Sequence, residues 1–435
     1  MSDTTISKIR ARQVWDSRGR PTVEAEVWLA AGAVGRAIAP AGASRGSHEA
    51  VDLRDGGKAF GGMGVSKAVA HVNGEIARLL MGRNAERQAE IDDALIALDG
   101  TPNKSRLGGN AMIAVSMATL HATAGAHRMP LWKYLSQGAD VVMPLPEIQI
   151  FGGGAHAGRR VDIQDFMVMA LAATSFADAL SITADIYRAA GDLMQEAGKL
   201  QGVADEGGFW PAFDSNEEAL TMLTRAIERA GYTPGRDAGI SLDVAASEFR
   251  RDGRYRLGLD ARELDSDGLC EMLLGWLDRY AIVSIEDPLA EDDATGMQRF
   301  TAAAGKRVQI IGDDFLVTSA PRVKDAAAAK ACNAVLIKPN QAGTVTETRA
   351  ALLAGKAAGF GTIVSARSGE SEDTTIVHLA TGWNAGQLKV GSFARSERMA
   401  KWNEALRIEE ALGPKARFAG RKVLPGQARW GAKIV

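Results

Sequence analysis

Cysteine is nearly absent from this chain: two residues in 435, Cys270 and Cys332, each inside an apolar segment. That excludes a disulfide framework and a cysteine metal cluster, and leaves two isolated buried thiols. Aromatic residues make up only 6%, with five tyrosines. No segment approaches the roughly 18 unbroken apolar residues of a membrane span. The first residues, Met1-Ser2-Asp3-Thr4-Thr5-Ile6-Ser7-Lys8, lack an apolar stretch of signal-peptide length. The expectation is a soluble, cytoplasmic protein. Nor does charge of one sign prevail: the net value is -2, which argues against a nucleic-acid or anionic-membrane partner.

What is present is ordinary globular composition, 46% hydrophobic and 24% charged, with 48 glycines that suit many tight turns. The length exceeds that of a usual single core, so two domains are expected. Val23-Glu24-Ala25-Glu26-Val27-Trp28-Leu29 alternates apolar and polar residues with the period of a half-buried strand. A Gly/Ser-rich stretch, Ala41-Gly42-Ala43-Ser44-Arg45-Gly46-Ser47, and helical patterns near 65–80 and 110–126 follow. Strands followed by helices suggest an α+β domain over residues 1–140, ending near Met143-Pro144-Leu145-Pro146.

Residues 141–435 change to a repeating rhythm of apolar run and helix. The runs are Ile240-Ser241-Leu242-Asp243, Ala281 to Glu286, Val308 to Asp313, Ala334 to Lys338, Thr362 to Ser365 and Gln387-Leu388-Lys389. Helices are expected to begin near Ser266, Asp292, Ala320, Val345, Asp373 and Glu397. Such alternation reads as parallel strands with helical crossovers, and this many units favour a closed α/β barrel.

Each run ends in a polar or charged residue, where a parallel barrel gathers its loops into one mouth. Asp243, Glu286 and Asp313 end three runs; Lys338 and Lys389 end two later ones. Three carboxylates around one point repel unless a cation sits among them, and hard divalent ions such as Mg²⁺ take carboxylate oxygens. A lysine beside that ion suggests a base. Its ordinary pKa of about 10.4 keeps it protonated. A neighbouring cation, the metal or Lys389, is expected to lower the pKa of Lys338.

These strand ends sit within a longer series of motifs. Asp16-Ser17-Arg18-Gly19, Gly42-Ala43-Ser44, Asp205-Glu206-Gly207-Gly208, Ser284-Ile285-Glu286-Asp287 and Gly312-Asp313-Asp314 resemble those of the enolase family. So do Leu336-Ile337-Lys338-Pro339-Asn340-Gln341, Arg367-Ser368-Gly369-Glu370-Ser371-Glu372-Asp373 and Arg407-Ile408-Glu409-Glu410-Ala411-Leu412, in the family's order over nearly the whole chain. The superfamily pairs a Lys or His base with Mg²⁺ that stabilises an ene-diolate.

The resemblance implies an α+β N-terminal domain with a mobile Gly/Ser loop, followed by an enolase-type barrel. It implies two Mg²⁺ per site, the first on Asp243, Glu286 and Asp313 and the second helped by Ser44. Lys338 would be the base at C2, Glu206 the acid at the C3 hydroxyl with Asp165 beside it, and Lys389 the partner of the substrate carboxylate. Arg367 and Ser368 resemble phosphate contacts, Ala43 lies in the substrate-binding Gly/Ser loop, and His156 matches a histidine on a closing loop. The substrate would be a small anionic phosphorylated or phosphono acid, and the assembly a homodimer.

Departures cluster at the leaving-group end and in the lid loops. Ala366 stands where the family has histidine, Asp165 where it has glutamate, Arg45 for threonine and Gly152 for asparagine, while Arg159 and Arg160 add charge beside His156. Three readings follow. The chain is a hydro-lyase on 2-phosphoglycerate or a close analogue, a divergent relative resembling carboxyphosphonoenolpyruvate synthase of phosphonate pathways, or a scaffold that has lost turnover.

Overall fold

The computed structural model describes residues 4–43 and 45–426. Its N-terminal part is an antiparallel meander of β1 (Ile6–Trp15), β2 (Pro21–Leu29) and β3 (Val34–Ile38). Two helices, α1 (Gln88–Asp99) and α2 (Gly109–Ala126), follow. Helix α2 is rich in Ala and Met and buried nearly all round, as a helix at the centre of a layer must be. It lies so close to β3 that a Cβ on Gly35 would fall 2.0 Å from the Ala118 carbonyl oxygen. The segment expected to be helical near 65–80 is helical, interrupted by one π-turn at Val72–Ile76.

The rest is a closed eight-stranded barrel: β4 (Leu145–Gly152), β5 (Asp165–Met169), β6 (Gly239–Asp243), β7 (Ile282–Glu286), β8 (Gln309–Gly312), β9 (Ala334–Ile337), β10 (Gly361–Ser365) and β11 (Gly386–Gly391). Pairing of β11 with β4 closes the ring. The expectation of parallel strands needs one correction: β5 runs antiparallel to both β4 and β6. The link from β4 to β5 carries a single 3₁₀ turn (Gly154–Ala157) and no crossover helix, and the chain turns back. That reversal brings the first residue of β5, Asp165, into register with the last residue of β6, Asp243, at the same mouth.

Helices α3 (Phe176–Glu196), α4 (Asn216–Arg229), α5 (Ser266–Arg279), α6 (Ala294–Ala304), α7 (Ala320–Ala329), α8 (Val345–Ala357), α9 (Thr375–Gly382) and α10 (Ser396–Leu412) connect or follow the strands. Several begin at a capping side chain that accepts a hydrogen bond from the third residue on, as Ser175, Ser215, Asp265, Asp293 and Thr344 do. Below the mouth the barrel is filled, not hollow. Gln309 donates to Ser284 Oγ at 3.0 Å and exchanges hydrogen bonds with Gln387, and Ser241 donates to Glu147. Cys270 and Cys332 are buried free thiols, pushed up to about 11 and about 12 by burial.

Candidate active site

The barrel mouth is built by strand ends. Asp243 and Glu286 are the last residues of β6 and β7, Asp313 directly follows β8, and Lys338 directly follows β9. Lys389 projects from β11. His156 lies on a single 3₁₀ turn (Gly154–Ala157) between β4 and β5, and Glu206 on the loop between the short strands Leu200–Val203 and Phe209–Pro211.

One small polar cavity gathers most of the expected residues. Ala43, His156, Asp165, Glu206 and Asp243 line it, as do Lys338, Arg367, Ser368 and Lys389. Glu286 and Asp313 stand just behind, each paired with a lining lysine. Lys389 Nζ is 2.8 Å from Glu286 Oε2, 3.0 Å from Asp243 Oδ2 and 3.8 Å from Asp165 Oδ2. Lys338 Nζ is 2.5 Å from Asp313 Oδ2. Ser44 lies outside the described residues.

That last contact bears on the charge state of Lys338, on which Lys389 acts in the expected lowering direction. Burial is the largest effect and disfavours its ammonium form, with Arg367 and Lys389 adding repulsion, but the carboxylates of Asp313 and Glu286 together tip the balance and the net direction is upward. Among the carboxyls the effects diverge. Burial, then the charge of Asp243, holds Glu286 well above the usual carboxylate range. At Asp243 burial also pushes upward, but Lys389 and Lys338 outweigh it and the net shift is downward.

These residues suit a divalent cation. Glu286 Oε1 is buried and has no hydrogen-bond partner among the described residues, so an acceptor stands ready beside two further carboxylates. An all-oxygen donor set matches a hard ion. The three carboxylates are not drawn into one tight knot, since Lys389 joins the first two and Lys338 and Gln341 hold the third. Among the described residues, two other groups do have ligand atoms all within 4.8 Å: Asp287 with Asp313 and Asp314, and His156 with Asp165 and Glu206. Asp287 already spends both oxygens on the backbone N–H groups of Asp313 (2.9 Å) and Asp314 (2.7 Å), which shapes the turn. In the second group His156 Nδ1 is 3.0 Å from Asp165 Oδ1 and Nε2 is 3.9 Å from Glu206 Oε1. Burial opposes the charged ring, yet Asp165 and Glu206 raise it to about 9, so at neutral pH it is a cation and not a ligand.

Glu206 itself is raised, burial outweighing the pull of His156 and Arg398. A buried carboxyl whose surroundings favour the protonated form is a candidate general acid. The Arg367–Ser368 end of the cavity is equally specific. Arg367 is held by Glu49, Nη1 to Oε2 at 2.9 Å and Nη2 to Oε1 at 3.2 Å, and by Asn340 Oδ1 at 3.0 Å. Ser368 Oγ accepts from the Ala43 N–H at 2.6 Å and from Arg18 at 3.2 Å.

The added arginines do not serve the cavity. Arg159 turns outward to Glu248 at 2.6 Å, Arg45 and Arg160 are exposed, and none lines the pocket. Ala366 does line it. Gly152 has a steric reason, since a Cβ there would lie 2.5 Å from that of Ala204. Sequence reasoning passed over Glu49, Gln149, Gln341 and Arg398. Gln149 donates to Asp165 and accepts from Gly208 N–H at 2.8 Å. Glu49 lies two residues beyond the Gly/Ser stretch and Gln341 ends the Lys338 motif, so proximity to a motif was the available signal for these two.

Comparison with known proteins decides the family. The family model for "Enolase, N-terminal domain" matches residues 6–135, and that for "Enolase, C-terminal TIM barrel domain" matches residues 140–426. The chain is 50% identical over 426 residues to "Enolase 1" of Desulfitobacterium hafniense (strain Y51), covering 97% of this chain and 98% of that protein. This chain belongs to the enolase family. It is an enolase-type carbon–oxygen lyase of the hydro-lyase class, and its family membership implies a divalent metal and a small phosphorylated acid as substrate. No helix among the described residues is long and apolar enough to cross a membrane.

Proposed function

We propose that this enolase-family lyase removes the proton beside the carboxylate of 2-phosphoglycerate, or of a close phospho or phosphono analogue, and expels the C3 hydroxyl as water. The observation that carries the reading is the meeting of Lys338, Glu206 and the pair Arg367–Ser368 around one polar cavity. These supply a base, an acid and an anion cradle.

In this reading Lys338 Nζ, in its neutral form, takes the proton from C2, and the electron pair released forms the C2–C3 double bond. Glu206 gives its proton to the departing hydroxyl, so water leaves and the carboxylate remains. Lys389 holds the substrate carboxylate. The planar fork of Arg367 and the hydroxyl of Ser368 hold the phosphate. His156, kept cationic by Asp165, adds positive charge beside Glu206, and Ala43 steadies Ser368 through its N–H. Asp243, Glu286 and Asp313 would hold one Mg²⁺, and Ser44 would help with a second. Bound there, Mg²⁺ supplies charge that offsets these carboxylates, Asp313 among them, and favours negative charge on the substrate's carboxylate oxygens.

We further take the chain to divide near residue 140, to act in the cytoplasm and to pair as a homodimer. A second reading rests on Ala366. Its small side chain lines the cavity at the leaving-group end and leaves room for a different final step, as in a carboxyphosphonoenolpyruvate synthase-like enzyme. The test is to mix the protein with Mg²⁺ and 2-phosphoglycerate and follow absorbance of the enol product. Turnover that stops on adding EDTA is expected. A silent protein that still exchanges the C2 proton in heavy water favours the second reading, and no exchange with any phospho or phosphono acid favours a scaffold.

A further inference from the structure

Arg398, in the first turn of α10, is completely buried yet does not line the cavity. Its Nη1 donates to the carbonyls of Arg367 (2.7 Å) and Val390 (2.8 Å), and its Nη2 to that of Ser368 (2.6 Å). Nε reaches Glu397 Oε1 at 3.3 Å, and Nη1 stands 4.0 Å from Glu206 Oε1. A single guanidinium therefore joins the end of β11, the turn that presents Arg367 and Ser368, and the loop that presents Glu206.

Backbone contacts reinforce this junction. Ser392 N–H donates to the Glu206 carbonyl at 2.8 Å. Gly391 has φ +121°, and a Cβ there would lie 2.6 Å from the Glu206 carbonyl oxygen and 2.9 Å from Arg398 Cδ, so glycine is required for the approach. We infer that Arg398 is a positioning residue that sets the anion-holding turn and the leaving-group acid together. The inference rests on the lyase reading above.

Two features of the side chain separate. Its planar fork holds three carbonyls in fixed directions, which a lysine cannot reproduce. Its charge acts on Glu206, which also faces His156 from the 3₁₀ turn, Asp165 from β5 and Lys389 from β11. Arg398→Lys keeps the charge and loses the fork. Arg398→Met loses both.

The test uses both variants in the full chain with Mg²⁺, after circular dichroism has established folding. Both are expected to raise KM for 2-phosphoglycerate and to weaken inorganic phosphate binding in calorimetry, each by roughly tenfold, since charge-assisted hydrogen bonds are lost around the cradle. Only Arg398→Met is expected to move the limb of the kcat profile that reports Glu206 to higher pH, because removing a cation favours the neutral carboxyl. A folded Arg398→Met with wild-type phosphate affinity and an unmoved limb overturns the inference. Should Arg398→Met fail to fold, the phosphate affinity of Arg398→Lys decides alone. If the wild type does not turn over 2-phosphoglycerate, the substrate reading fails separately. Phosphate binding then decides: a tenfold loss in Arg398→Lys supports the positioning role, while equal affinities, or no binding by the wild type, overturn it.

Discussion

His156 Nδ1 lies 3.0 Å from Asp165 Oδ1, with both side chains buried at the barrel mouth. The ring's other nitrogen, Nε2, has Glu206 Oε1 at 3.9 Å. It is thus a cation between two acids, on the side of the cavity where the leaving group is expected to depart.

The first prediction concerns this ring. Its pKa in the folded chain is about 9, above the unfolded value of about 6.5. A raised folded value means that its stabilisation is complete below pH 6.5 and is lost as pH rises through 9. A gap of that size corresponds to roughly 3 kcal/mol. Imidazole NMR titration of the wild type should give a midpoint near 9, and Asp165→Asn should move it down. A midpoint at or below 6.5 in the wild type would show that the ring is not held as a cation.

Gly152 supplies a steric prediction. Gly152→Asn places a Cβ against that of Ala204, 2.5 Å away, and overpacking of this kind costs about 1–3 kcal/mol. Urea denaturation should show that loss, and Ala204→Gly in the same chain should recover part of it. Unchanged stability in Gly152→Asn would mean that the loop carrying Ala204 moves aside easily.

Arg367→Lys should weaken substrate binding more than it slows chemistry. The fork that now pairs with both Glu49 oxygens and with Asn340 becomes a point charge. Steady-state kinetics should show KM raised by about 10-fold or more, with kcat changed less. The opposite split, kcat collapsing at constant KM, would move this residue from the anion cradle to the reacting centre.

Glu286→Gln tests the cation site without turnover. Mg²⁺ should raise the melting temperature of the wild type by mass action, and EDTA should reverse it. In Glu286→Gln the shift should largely vanish, because one anionic donor is gone while its shape is kept. A full Mg²⁺ shift in the variant would place the cation elsewhere.

Much of this site was legible along the chain because a barrel converts sequence position into place. A polar residue that ends an apolar strand must appear at the mouth, and Asp243, Glu286 and Lys338 do; Lys389 reaches it from inside β11, which runs on to Gly391. The first two barrel strands were harder to see. Leu145–Gly152 is buried on both faces and contains Pro146, so it shows neither alternation nor a clean apolar run. Asp165–Met169 runs backwards, and its candidate site residue Asp165 therefore begins the strand instead of ending it. The opposing pull of Asp313 on Lys338 was hidden for a different reason. It depends on an Asp313 oxygen 2.5 Å away, a distance that no spacing of residues 313 and 338 reveals. Outward-turned Arg159 makes the same point: its partner Glu248 is 89 positions distant.

The most direct test of the account is hydrogen–deuterium exchange at the carbon beside the substrate carboxylate, followed by NMR in heavy water with Mg²⁺ and 2-phosphoglycerate. The wild type should exchange that proton. Lys338→Ala should not, while its Mg²⁺-induced rise in melting temperature persists. Exchange that continues in Lys338→Ala would contradict the assignment of residue 338 as the base and the mechanism built on it.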